Sequence, residues 1–215
     1  MKNEILQKSL QYFLKHGIRE MSNNKLVEQL GISTKTIYKY FKNKEELLEE
    51  VLQVHYAQQY EILKSLPAEQ RAASLFFDLW YMAVMREYDV NNAFFRDLHY
   101  YYPELERKIE IAVTKKFTRE FVRIIRRAIE EGSFRKDIIS EVVLENIYVQ
   151  YESVARSERF KRFRLSPENI FLNTIASTIR GICTVKGAEE IDEHIQTREF
   201  SVNFKKSNKN APVNL

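Results

Sequence analysis

Leu26-Val27-Glu28-Gln29-Leu30-Gly31-Ile32-Ser33-Thr34-Lys35-Thr36-Ile37-Tyr38-Lys39-Tyr40-Phe41-Lys42-Asn43-Lys44-Glu45-Glu46-Leu47-Leu48 decides how this chain is organised. A helix that ends at Gly31 is followed by a tight turn, a short helix and a third helical element from Asn43. Gly31 suits the left-handed backbone that terminates a helix, and the Ser33 hydroxyl suits the first free N–H groups of the next one. This is the pattern of a helix-turn-helix.

The second of these helices spans about Thr34 to Phe41. Ile37 and Phe41 share one stripe with Tyr40 beside them and face a small core, while Thr34, Lys35, Thr36, Tyr38, Lys39 and Lys42 point outward. No acid occurs between Thr34 and Lys44, so Lys35, Lys39, Lys42 and Lys44 form a one-signed face. Lysines on such a face neutralise phosphates, and Thr, Lys and Tyr near the helix start reach base edges in a major groove. Thr34, Lys35, Thr36, Tyr38 and Lys39 are therefore expected at the groove and its edges and Lys42 and Lys44 on the backbone, with Ser33 and Tyr40 completing the candidate DNA-binding residues.

At these residues the chain resembles the tetracycline-repressor (TetR) family of bacterial one-component regulators. The resemblance rests on Gly31-Ile32-Ser33 and on the run from Thr36 to Leu47, with support from Phe13-Leu14-Lys15-His16-Gly17-Ile18 upstream. It covers about the first fifth of the chain. It departs from the family at Asn23, where an apolar residue is usual, at Lys25, where an acid is frequent, and at Lys35, where many members carry a small residue.

The remainder reads as all-helical. Glycine and proline are few and fall where helices end, and no useful stretch alternates with the period of a strand. Ile5, Leu6, Leu10, Phe13 and Leu14 make a first amphipathic helix over residues 2 to 16, and Asn43 with Glu46 forms a capping box for a fourth helix running to about Ser65. Later helices are expected near 75–85, 91–102, 104–131, 140–157 and 167–185. The expected architecture is all-α with about nine helices: a helix-turn-helix domain over 1–46, a helical effector-binding and dimerisation domain over 47–203, and a flexible tail over 204–215.

Net charge is +4, but residues 51–200 hold 22 basic against 23 acidic residues, so the local run from Thr34 to Lys44 carries the nucleic-acid argument rather than the global balance. The single cysteine, Cys183, excludes an intramolecular disulfide framework and sits in an apolar run, as a structural thiol does. The stretch Arg156 to Arg164 reads as a solvated cationic loop. No signal peptide or membrane-length apolar run is evident, which points to the cytoplasm.

His16, His55, His99 and His194 lack metal-ligand spacing, and no phosphate loop or nucleophile elbow is present, so neither an enzyme, a metal nor a cofactor is expected. Trp80, Tyr81, Met82, Met85, Phe95, His99, Tyr148 and Tyr151 lie on three helices that could converge on an apolar pocket, the alternative being a filled aromatic core. The resemblance implies that an inducer binds in this domain and that the last two helices pair with a second copy as a four-helix bundle. Val143, Ile147, Val154, Phe171, Ile175, Ile179 and Ile182 are the candidate interface. The function expected is a homodimeric DNA-binding regulator that binds a palindromic operator in double-stranded DNA and is released by an apolar or aromatic small molecule. The alternative is a helical sensor or protein-interaction module whose head no longer reads DNA.

Overall fold

The computed structural model describes residues 1–65 and 69–209. Its α-helices are α1 (Lys2–His16), α2 (Asn23–Leu30), α3 (Thr34–Tyr40), α4 (Lys44–Ser65), α5 (Ala72–Glu87), α6 (Ala93–Tyr101), α7 (Pro103–Glu130), α8 (Ser140–Ala155), α9 (Pro167–Asn173), α10 (Ile175–Gly181) and α11 (Val185–Lys209), with one 3-10 turn at Lys161–Phe163. Among the described residues there is no strand, only an isolated antiparallel bridge between Phe134 and Cys183. No described helix is long and apolar enough to cross a membrane.

Apolar side chains gather into two cores. The first joins the stripes of α1, α2, α3 and early α4, with Phe13, Ile18, Leu26, Leu48, Val51 and Leu52 fully enclosed. It does not stop at residue 46, because Val90, Phe94 and Leu98 around α6 and Leu105 and Ile109 on α7 complete it. Three short helices expose more apolar surface than they can cover among themselves, and α6 supplies the missing lid.

The contact at this lid is close. Gly17 adopts φ +84°, and a Cβ there would lie 2.9 Å from the Ala93 Cβ and 3.1 Å from Asp97 Oδ2. The Asn91 amide donates to the Leu14 carbonyl at 2.9 Å, and its side-chain Nδ2 donates to the Lys15 carbonyl at 3.1 Å, so the end of α1 is capped from across the chain. Arg19 closes the seam: its backbone N–H donates to Asp97 Oδ2 at 2.8 Å and its Nη1 to the Tyr101 hydroxyl at 2.7 Å.

The second core packs α5 against the latter half of α7 and against α8, α9, α10 and the start of α11, around Phe76, Phe77, Ile125, Phe134 and Phe171. Here the structure corrects one expectation. The single helix expected over 167–185 is two, broken at Thr174, whose hydroxyl turns back to the Ile170 carbonyl at 2.7 Å. A further helix, α11, follows. It enters beside the Gly132–Phe134 turn: Thr184 Oγ1 donates to the Gly132 carbonyl at 2.7 Å, and a Cβ on Gly187 would sit 1.9 Å from the Ser133 carbonyl oxygen. Of the tail expected over 204–215, residues 210–215 lie outside the described residues.

Candidate nucleic-acid interface

The turn between α2 and α3 is built as its residue types require. Ser22 caps α2, accepting from the Lys25 amide at 3.3 Å. Gly31 takes φ 64°, ψ 32°, and the Ile32 amide reaches back to the Val27 carbonyl at 3.1 Å, which closes the helix end. Ser33 then caps α3: its Oγ accepts from the Thr36 amide at 3.1 Å and shares a 2.8 Å hydrogen bond with the Thr36 hydroxyl. Ile37 and Phe41 are buried beneath, and Tyr40 is half-buried with Lys39 Nζ 5.9 Å above its ring.

The opposite side of α3 is open. Thr34, Lys35, Tyr38, Lys39 and Lys42 are exposed, with Tyr38 at 49 %. Among the described residues Lys35, Lys39 and Lys42 form no ion pair. An exposed helix with two cations, a third just beyond its end and no ion pair to any of them leaves its electrostatic demand to an external polyanion. Ser33 and Thr36 divide their duty, since their hydroxyls already serve the cap.

Lys44 departs from its expected role. Its Nζ turns inward, donates to the Ile18 carbonyl at 2.6 Å and lies 5.9 Å from the Phe13 ring, and burial lowers its pKa, opposed by Asp97. In the structure its charge clasps the loop between α1 and α2. The capping box also closes differently: Asn43 Oδ1 accepts from the Glu46 amide at 2.9 Å, while Glu46 Oε2 accepts from Lys42, at 2.5 Å, rather than from Asn43.

The expected pocket residues separate into groups. Trp80, Tyr148 and Tyr151 do meet, with the Trp80 ring 4.9 Å from Phe121 and 5.7 Å from Tyr151, and Tyr148 6.1 Å from Tyr151. Trp80 Nε1 is buried without a hydrogen-bond partner among the described residues. Tyr81 leans instead on Phe77 and Phe171, Met82 and Met85 are half-buried, and Phe95 packs with the first core. His99 does not join: its side chain is 68 % exposed and its Nδ1 lies 2.9 Å from Glu106.

Beside the aromatic group lies a buried polar cluster that the sequence did not reveal. The Glu87 carboxylate accepts from Arg156 Nε at 2.8 Å, from Gln59 Nε2 at 2.6 Å and from the Tyr151 hydroxyl, with His55 Nε2 at 3.4 Å. Burial opposes the charge on Glu87, but Arg156 and then His55 hold its carboxyl far below the usual range. Burial, and the neighbouring Glu87, push the Tyr151 hydroxyl well up. Arg156, taken from the sequence as part of a solvated loop, thus points inward, its guanidinium 4.8 Å from the Phe95 ring and 5.2 Å from Tyr151. The cluster fastens α4, α5 and α8 at one point.

Most of the candidate interface residues face inward in the single chain. Ile147, Val154, Phe171, Ile175 and Ile179 are fully buried and Ile182 nearly so, all in the chain's own core, and Val143 packs partly against it. The outer face of the same helices carries Val142 and Val149, 62 % and 53 % exposed, beside Ser177 and an open Gly181. Gln150 and Thr178 bond to each other at 2.8 Å, which holds α8 and α10 side by side.

Residues 5–51 match the family model described as bacterial regulatory proteins, tetR family. No curated protein sequence matches the chain. Solved structures share its fold: a TetR transcription regulator from Haloarcula marismortui is 15 % identical with a TM-score of 0.71, over 85 % of this chain and 98 % of that one. The regulatory protein TetR from Rhodobacter sphaeroides is 13 % identical with a TM-score of 0.70, over 84 % and 97 %. The fatty acid degradation regulator FadR from Bacillus halodurans is 17 % identical with a TM-score of 0.67, over 85 % and 100 %.

Proposed function

We propose, from the premise that this chain is a TetR-family transcriptional regulator, that it is a cytoplasmic repressor which binds a palindromic operator as a homodimer and is released by an apolar or aromatic small molecule. The observation that carries this reading is the exposed side of α3 and the residue just after it, where Lys35, Lys39 and Lys42 form no ion pair among the described residues and flank Thr34 and Tyr38. One such helix offers little sequence discrimination. A two-fold dimer sets two of them about one DNA turn apart, roughly 34–36 Å. Val142 and Val149 on α8, and Ser177 and the open Gly181 on α10, support a self-complementary face on these two helices, since exposed valines and small residues admit a closely packed partner.

The effector reading rests on Trp80, Tyr148 and Tyr151 beside the Glu87 cluster. A ligand moves the DNA heads only through different affinity for two states. Helix α4 supports such a link, because Lys44 touches the head while His55, about 16 Å along the same helix at 1.5 Å per residue, touches Glu87.

The test is binding of the purified chain to DNA from immediately upstream of its own gene, at two salt concentrations and with excess nonspecific competitor. Saturable binding with two symmetric protected half-sites is expected. Binding abolished by competitor, or none at low salt, would turn the reading to a helical sensor that contacts protein.

A further inference from the structure

Helix α3 receives polar support from α2 as well as from its own cap. Asn23, in the first turn of α2, donates from Nδ2 to the Tyr38 hydroxyl oxygen at 2.9 Å, fifteen residues away. Asn23 is half-buried while Tyr38 is 49 % exposed, so the amide stands on the protein side and the hydroxyl rim faces outward.

A tyrosine hydroxyl is both acceptor and donor. When an amide N–H fills its acceptor side, its own hydrogen is left to seek an acceptor elsewhere. We infer that Asn23 is a positioning residue for operator binding: it fixes Tyr38 with its hydroxyl hydrogen directed outward, so that Tyr38 donates to an acceptor on DNA, a phosphate oxygen or a base-edge oxygen or nitrogen. This rests on the DNA-binding reading above. The pair also restrains the ring, which pivots about only two side-chain torsions, so less freedom is lost when DNA is bound.

The chemistry distinguishes this from a contact that only stiffens the head. An apolar side chain at position 23 would still pack against the ring but would leave the hydroxyl free to turn. Aspartate is nearly isosteric and suits the first turn of α2 by charge, yet its carboxylate only accepts, so it would draw the hydroxyl hydrogen inward.

The experiment is a double-mutant cycle on the full chain, with fluorescence anisotropy on the upstream duplex and on mixed-sequence competitor DNA. Asn23→Leu is expected to weaken duplex binding about three- to tenfold, the worth of one neutral hydrogen bond, and less than about twofold in the Tyr38→Phe background. Equal losses in both backgrounds, or none in either, would overturn the inference. Thermal unfolding checks that each variant is folded; if Asn23→Leu is not, Asn23→Asp takes its place. Its loss should be larger in the parent than in the Tyr38→Phe background, because charge repulsion acts in both and hydrogen direction in only one. A loss uniform across operator variants identifies a phosphate acceptor, and a changed ranking identifies a base. Failure of the parent chain to bind saturably would defeat the DNA reading itself, a result distinct from additive losses in a chain that binds.

Discussion

Glu87 on α5 and Arg156 at the end of α8 meet inside the molecule, Nε to Oε2 at 2.8 Å, with the Glu87 side chain 1 % exposed. The pair is satisfied on several sides by Gln59, Tyr151 and His55, so removing the Glu87 charge leaves Arg156, only 16 % exposed, without its nearest counter-charge.

Glu87→Gln should therefore destabilise the chain by about 3–5 kcal/mol, the usual cost of leaving a buried charge uncompensated. Urea unfolding measures it, and a loss under about 1 kcal/mol would mean that Arg156 finds another partner. The pH dependence has a definite sign. A carboxyl whose folded pKa is depressed contributes stability above its unfolded value, about 4.3, and loses it as pH falls toward the folded one. The difference between parent and variant should stay level from about pH 8 to 5 and narrow only below about 4.

Lys44 and Lys39 differ in what their charges face. Lys44→Met should lower stability by about 1 kcal/mol through the lost bond to Ile18, and leave the salt dependence of DNA binding unchanged. Lys39→Ala should leave stability nearly unchanged and reduce the slope of log K against log salt by about one. A reduced slope for Lys44→Met would return that residue to the phosphate backbone.

Val149→Arg tests the proposed face on α8 and α10. Val149 is 53 % exposed in the single chain, so the substitution should spare folding while a buried guanidinium disfavours association. Sedimentation equilibrium should show a shift from dimer to monomer at micromolar concentration, and an unchanged dimer would place the interface elsewhere.

Trp80 is the only tryptophan and lies between Phe121 and Tyr151. An effector that enters beside it should change its emission in step with DNA release. Release with no change in emission would locate the effector away from this aromatic group.

Helix ends around the turn were legible in the sequence, whereas the break at Thr174 was not. Gly31, Ser33 and Asn43 cap helices because capping depends on the residues adjoining it, and the apolar stripe of α1 needed only its own spacing. Cys183 also behaves as its surroundings suggest: its Sγ donates to the Ile179 carbonyl at 3.2 Å, and burial, with Glu190, pushes its pKa up to about 12. What periodicity does not specify is the object that a stripe faces. Ile147 and Ile175 lie on apolar faces as expected, yet those faces meet the chain's own core, while Val142, read from the spacing as part of that stripe, is exposed with Val149.

Direction and distance were the other illegible quantities. The charge of Lys44 is plain, but its turn toward Ile18 depends on a loop 26 residues upstream. Glu87 and Arg156 are 69 residues apart, and neither has a local pattern that names the other. His99 stands among tyrosines in sequence, where adjacent helical positions point different ways, and so it reaches solvent.

Gly17 has a mechanical consequence. With its Cα pressed to Ala93, and Asn91, Asp97 and Arg19 locked around it, the DNA-reading unit carries α6 as a lever. In the proposed dimer, a change in the spacing of two such units would carry α6 along with the head. A fragment cut at residue 46 would lose this lever, along with the cover over Phe13.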